Sequence, residues 1–152
     1  GDELGMLSDP SYLDDPEKAH DSRWLHRPRM DWTRAEKRHD LTSIEGRLFL
    51  GIKRLIELRR SHPHMHNFGL FHPLWSDNAQ VLTFAHHRHD GHLLVLANFS
   101  EQPQSVQGDL PHHAGLRGEL TDLLSDRLVR DASGRIQLHP YGLRWLIGEG
   151  RL

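Results

Sequence analysis

The sequence predicts two unlike parts: a long polar loop closed by one amphipathic helix, then an all-β antiparallel sandwich of about ninety residues. Three observations predict this. Charge is unevenly spread: residues 1–61 carry twelve basic and twelve acidic side chains, residues 62–152 only seven and nine. A single segment, 42–60, has apolar residues at helical spacing. The rest holds short apolar runs separated by turn-forming residues.

Residues 1–40 read as a loop. Asp9-Pro10 and Asp14-Asp15-Pro16 are turn formers, and His26-Arg27-Pro28-Arg29 continues without periodicity. A stretch this long without its own elements is usually functional or disordered. Trp24, Met30 and Trp32 argue against disorder, because such side chains favour burial. Residues 42–60 read as a helix. Thr42 or Ser43 can cap it, and Glu45 falls three residues after Thr42, as in a capping box. Leu48, Ile52, Leu55 and Ile56 form its apolar stripe, with Phe49 flanking. Lys53, Arg54, Arg59 and Arg60 suit its C-terminal half. Pro63 ends it and places a boundary near Ser61-His62-Pro63.

Beyond that boundary, Gln80–Ala85 and His92–Asn98 are apolar runs of strand length. Arg88-His89-Asp90-Gly91 between them suits a hairpin turn. Gln104–Val106, Gly118–Asp122, Arg135–Leu138 and Gly142–Ile147 are further short strands, with Asp131-Ala-Ser-Gly134 a turn before the third. No parallel βαβ unit fits this pattern.

Composition excludes several classes. A net charge of −2 argues against a dedicated nucleic-acid binder. With no cysteine there is no disulfide and no thiolate metal site. No apolar run approaches the ~18 residues of a membrane span. The 36% apolar content supports only a lean core. Fourteen histidines are unusual, and eleven lie after residue 61. His62-X-His64-X-His66 and His86-His87-X-His89-X-X-His92 can offer imidazoles to zinc or nickel, since alternate strand positions share a face. The plainer reading is surface histidines in a chain with three lysines, and no metal site is assigned.

Asp21-Ser-Arg-Trp-Leu-His-Arg-Pro-Arg29 is the densest polar-aromatic cluster. Arg23 and Arg27 offer planar forks suited to carboxylates. Trp24 can shield such a pair or form a sugar-stacking platform. The alternative is that these are solvated loop side chains. Asp14, Asp15 and Asp21 lack the spaced ligand pattern of a calcium loop. Asp2-Glu3 is a carboxylate pair, but adjacent residues seldom provide the opposed carboxyls of a retaining glycosidase.

Six strings carry a resemblance. Gly1-Asp-Glu-Leu-Gly5, Tyr12-Leu-Asp-Asp-Pro16 and His20-Asp-Ser-Arg-Trp-Leu-His-Arg-Pro-Arg29 open it. Glu45–Arg59, Ala97-Asn-Phe-Ser100 and Leu138–Leu146 continue it. Together they resemble the amylosucrases, sucrose-using members of glycoside hydrolase family 13 in the α-amylase superfamily. The resemblance spans nearly the whole chain. Its most specific string is Asp-Ser-Arg-Trp-X-His-Arg-Pro-Arg.

The resemblance implies the end of a (β/α)8 TIM barrel followed by an all-β antiparallel Greek-key sandwich, called domain C. Residues 1–63 would be the loop after the eighth barrel strand and the last barrel helix, and residues 64–152 domain C. Loops at that end of barrel strands build active sites. The family's nucleophilic aspartate, general-acid glutamate and transition-state-stabilising aspartate would lie N-terminal to Gly1, so no catalytic residue is expected among these 152. Arg23 is the substrate-binding residue that the resemblance implies. Its counterpart pairs with an aspartate from an early barrel loop and closes the base of the glucosyl subsite. Trp24, His26 and Arg27 would support that loop.

The implied activity is glucosyl transfer from sucrose to an α-1,4-glucan with release of fructose, needing no cofactor. Partners would be sucrose, a glucan acceptor and the rest of the barrel, with no nucleic acid and no membrane. A homodimer and a cytoplasmic location are the accompanying expectations, with secretion left open. The alternatives are a sucrose hydrolase of the same family and a stand-alone carbohydrate-binding β-sandwich module.

Overall fold

The computed structural model describes residues 1–62, 65, 69–89, 91–125, 127–128 and 134–148. The chain divides into two compact units, residues 1–57 and 58–152.

In the first unit the stretch expected to be a plain loop is organised into single helical turns. Short 3-10 turns occupy Asp2–Leu4, Pro10–Asp14, Ser22–His26 and Lys37–His39, and a five-residue helix, α1, spans Trp32–Glu36. Aspartates start most of them. The carboxylates of Asp9, Asp21 and Asp31 accept the backbone N–H of Ser11, Arg23 and Arg34 at 2.9–3.1 Å. Each satisfies a donor that a helix start leaves orphaned. The acidic residues scattered through this stretch are thus turn builders, which its lack of hydrophobic periodicity conceals.

The expected helix is α2, Ile44–Ser61. Ser43 caps it, its Oγ accepting the Gly46 N–H at 2.9 Å. The capping box does not form. Thr42 instead gives both its N–H and its hydroxyl to Asp40 Oδ1, and Glu45 turns away to accept Arg34 Nε at 2.6 Å. Arg34 also donates to the Gly5 carbonyl at 3.2 Å, so one guanidinium ties the first turn, α1 and the start of α2. Gly46 is required by close approach: a Cβ there would sit 1.9 Å from the Asp40 carbonyl oxygen. The stripe residues Leu48, Ile52 and Ile56 are 39–52% exposed.

The second unit is antiparallel β structure. Its strands are β1 (Leu70–Pro73), β2 (Val81–Arg88), β3 (Gly91–Asn98), β4 (Gln104–Gln107), β5 (Leu120–Asp122), β6 (Arg127–Leu128), β7 (Arg135–Leu138) and β8 (Leu143–Gly148). A four-residue helix, α3, spans Leu110–His113. Six strands form one sheet in the order β1-β2-β3-β8-β5-β6, and β4 pairs with β7 in a second. The β2–β3 hairpin is the longest pairing, running from Val81↔Asn98 to Arg88↔Gly91. The six strand segments read from the sequence, two apolar runs and four shorter segments, all contain strands. β1, β6 and α3 were not expected. β1 is short, exposed and contains Pro73; β6 is two residues; α3 carries Pro111 and two histidines, a loop-like composition. Of the Asp131–Gly134 turn, residues 131–133 lie outside the described set, as do His64 and His66.

Burial explains the layering. In β2, Val81, Thr83 and Ala85 are buried while Leu82 is exposed, the alternation of a strand with one covered face. β3 is buried on both faces, as its uninterrupted apolar run requires. Leu94, Leu96 and Leu146 of the large sheet pack with Val106, Ile136 and Leu138 of the small one, and Leu110 of α3 joins them. These two facing sheets enclose the main core. On the far face of the large sheet, Leu93 and Val95 pack with Phe84, Trp145 and Ile147.

Polar contacts close the rim. Arg135 pairs with Asp77 at 2.8 Å and donates Nε to Ser105 Oγ at 2.8 Å. The hydrogen bond from Arg135 to Asp77 holds the Asp77 carboxyl below the usual carboxylate range. Asp122, 2% exposed, accepts four donors: the N–H groups of Leu124 and Trp145, the Ser125 hydroxyl and Arg144 Nη1.

Candidate substrate-binding site

The candidate site lies in the first unit, on the turn that Asp21 starts. Asp21 has extended backbone, and its Oδ1 accepts the Arg23 N–H at 3.1 Å. The same carboxylate takes the Arg23 side chain, with Nε at 2.8 and 3.0 Å from its two oxygens and Nη2 at 2.7 Å. Two residues thus form a cap and a forked ion pair at once. The Arg23 guanidinium beside it pulls the Asp21 carboxyl down to about 2. The Arg23 side chain is 74% exposed, with its Nη1 edge turned to no hydrogen-bond acceptor among the described residues.

Trp24 is half-buried between two cations. Lys18 Nζ lies 5.4 Å from its ring centroid and the Arg27 guanidinium carbon 5.9 Å, both within cation–π reach. Lys18 is held in turn by an ion pair with Asp15. A backbone bond from Asp9 N–H to the Leu25 carbonyl, 2.9 Å, fixes the turn against the preceding one. His26 Nδ1 and Ser8 Oγ are 3.2 Å apart.

A cavity of about 150 Å³ opens beside this turn, lined by Asp2, Leu7, Ser8, His26, Arg27 and Met30 among others. Of the four residues singled out in the sequence, His26 and Arg27 line it. Arg23 and Trp24 do not. Arg23 instead presents its fork outward, and Trp24 serves as the hydrophobic seat that orders Lys18 and Arg27. The sequence did not reveal Asp21 as the partner of Arg23, because the string reads as easily as a row of solvated side chains. It also did not reveal Arg34–Glu45, whose members are eleven residues apart.

Asp14, Asp15 and Asp21 do not converge on one another through any hydrogen-bonded ligand set, and Asp15 and Asp21 are engaged with Lys18 and Arg23. Among the described residues no group of three His, Asp or Glu side chains is arranged to hold a metal ion. No helix among them is long and apolar enough to cross a membrane.

Residues 71–145 match the family described as the maltogenic amylase C-terminal domain. Solved structures share the fold. A trehalose-6-phosphate hydrolase from Bacillus licheniformis matches 98% of this chain at 20% identity, with a TM-score of 0.62 over 35% of its own length. The maltose complex of AmyP matches 70% of this chain at 21% identity, with a TM-score of 0.59 over 21% of its length. An Anoxybacillus α-amylase matches 70% at 23% identity, with a TM-score of 0.50 over 24% of its length. The chain therefore spans between about a fifth and about a third of these proteins. Residues 71–145 are thus antiparallel β structure similar to the maltogenic amylase C-terminal domain.

Proposed function

We propose that this chain is the C-terminal portion of an amylosucrase-type retaining glucosyltransferase, residues 1–63 closing a (β/α)8 barrel and residues 64–152 forming its domain C. The observation that carries the proposal is Arg23. It sits in the Asp-Ser-Arg-Trp string, on a turn rigidified by Asp21, with its fork exposed. Asp21 occupies the Nε–Nη2 side of the guanidinium. The Nη1 edge is left for a second carboxylate, the role the resemblance gives an aspartate of an early barrel loop. Such a bidentate pair walls off the end of a cleft and leaves room for one glucosyl ring.

In this reading the chemistry is retaining and has two steps. A carboxylate of the barrel attacks the anomeric carbon of the glucosyl unit of sucrose, and the general acid protonates the departing fructose oxygen. The 4-hydroxyl of a glucan then displaces the carboxylate and surrenders its proton to the same group. The glycosidic bond of sucrose carries the energy for the new bond, so no nucleotide sugar is required. Arg23 contributes geometry rather than proton transfer. His26 and Arg27 support the loop from the cavity side, and Trp24 from beneath.

The test is the complete enzyme with sucrose, measuring fructose, free glucose and glucan. Wild type should release fructose and elongate glucan. Arg23→Ala should lower sucrose turnover by orders of magnitude with unchanged circular dichroism. Wild-type activity in Arg23→Ala would remove that residue from the site. Free glucose without glucan would replace the transferase with a sucrose hydrolase, the reading in which water takes the place of the acceptor.

A further inference from the structure

Three imidazoles stand in a row on the core side of the large sheet. His87 on β2 pairs directly with His92 on β3, and both continue the inward-facing series of Ala85 and Leu94. His72 on β1 pairs with Ala85 and so shares that face. The ring centroids of His72 and His87 are 4.7 Å apart, and those of His87 and His92 are 4.6 Å apart. Exposure falls along the row: His72 is exposed, His87 half-buried, His92 only 6% exposed. Two ring nitrogens, His87 Nε2 and His92 Nδ1, are buried with no hydrogen-bond partner among the described residues. Gly115 closes the inner end: a Cβ there would lie 3.1 Å from the His92 ring.

We propose that this row is an acid-sensitive latch that holds the edge strand β1 on the sheet when neutral and releases it when protonated. Neutral imidazoles pack here as tilted rings, at interplanar angles of 32° and 54°, and complete the core edge. A proton on any one brings a charge to ring-contact distance of its neighbour, and a second proton places two like charges there. The outermost ring belongs to β1, whose four residues are all exposed and, among the described strands, pair on one side only. It is therefore the element that can move away.

Among the described residues, the charged groups that act on His87 add to this. On β2, His86 points to the opposite face and adds to the repulsion. Across from the row, the Ala114 carbonyl alone favours a protonated His87. The titratable side chains of α3 and its cap are His112, His113 and Asp109, and the Asp109 carboxylate lies 3.6 Å from His113. His89 sits in the β2–β3 turn, whose Asp90 lies outside the described residues. Burial and the flanking imidazoles hold His87 below the ordinary histidine range. The sign follows. The unfolded chain takes up this proton near pH 6.5 and the folded one only at lower pH. Stability from the row is complete above about 6.5 and declines as pH falls through the lower folded value.

The experiment is hydrogen exchange of the 152-residue chain, read by mass spectrometry at about pH 8 and about pH 5.5 with correction for intrinsic exchange. Protection of Leu70–His72 should fall about tenfold or more at the lower pH, while that of Leu94–Leu96 should hold. His72→Phe, at the exposed end, keeps a stacking ring without a titrating group and should keep β1 protected at both. Imidazole proton resonances of the wild type give an independent reading that needs no variant. Equal loss of β1 protection in His72→Phe, no loss in wild type, or a His87 ring titrating at or above the ordinary value would each overturn the latch. So would stabilisation by equimolar zinc, which would make the row a metal site.

Discussion

The carboxylate of Asp122 carries the clearest energetic test of the β domain. It is 3% exposed and accepts Leu124 N–H and Trp145 N–H on Oδ1, each at 3.2 Å, and Ser125 Oγ at 3.1 Å and Arg144 Nη1 at 3.3 Å on Oδ2. It thus pins the end of β5 to β8. In Asp122→Asn the amide oxygen can keep the two backbone donors, and the amide nitrogen can donate to Ser125. Arg144 then faces an N–H₂ group. Its Nε still reaches the Gln137 carbonyl at 2.9 Å and its side chain is 26% exposed, so water relieves part of the loss. One unpaired group of this kind costs about 1–3 kcal/mol. We therefore expect about 2 kcal/mol for Asp122→Asn. Asp122→Ala also orphans both backbone amides and should cost about 3–5 kcal/mol. For a unit of this size, about 2 kcal/mol lowers Tm by roughly 8–16 °C. Urea unfolding followed by the fluorescence of Trp145, which neighbours Arg144, measures both variants. A cost below about 0.5 kcal/mol for Asp122→Ala would refute the reasoning, because a buried carboxylate with four donors cannot be that dispensable.

Other expectations follow from single contacts. Gly46→Ala drives a methyl into the Asp40 carbonyl and should destabilise the first unit by about 1–3 kcal/mol, seen as loss of helical ellipticity at lower temperature. Leu96→Ala, fully buried between the sheets, should lower the urea midpoint of the β domain by the equivalent of about 2–5 kcal/mol with an unchanged m value. Asp21 should titrate at about 2 by carboxyl carbon resonance. Because its folded value lies below the ordinary one, the support it gives is present above about pH 4 and is lost as pH falls toward 2. A titration near 4 would show that the Arg23 pair does not persist in solution. The 152-residue chain alone should release no fructose from sucrose, and genuine turnover would overturn the assignment of its first sixty-three residues.

What could be read from the sequence and what could not divide along one physical line. Gln80–Ala85 and His92–Asn98 were legible as strands because alternation and an unbroken apolar run report directly on how many faces are covered. The stripe of α2 was legible for the same reason, although it tells what the helix requires and not what meets it. Leu70–Pro73 was not legible: an exposed edge strand has no covered face to impose a pattern. The acidic turns of the first unit were legible as turn formers one by one, and not as caps for successive helical turns. The Arg23 site shows both limits. Its string could be singled out, and its exposed fork follows from a turn that Asp21 begins. The role of that carboxylate as cap and ion partner together depends on backbone geometry that spacing alone leaves open.

The histidines sharpen the point. Spacing along the chain grouped His86, His87, His89 and His92, yet His86 and His87 face opposite sides of the sheet. His87 meets His92 because the hairpin register sets them opposite each other, and His72 joins from a strand that begins seventeen residues before His87. A local motif search compares positions along one chain direction. A sheet builds its sites at right angles to that direction, from residues whose only common property is register. The burial gradient from His72 to His92 then places three ordinary side chains in graded surroundings, exposed at one end and enclosed at the other. For this chain the count of fourteen histidines was therefore a weak signal, and the pairing of β1, β2 and β3 is what gives three of them a common environment.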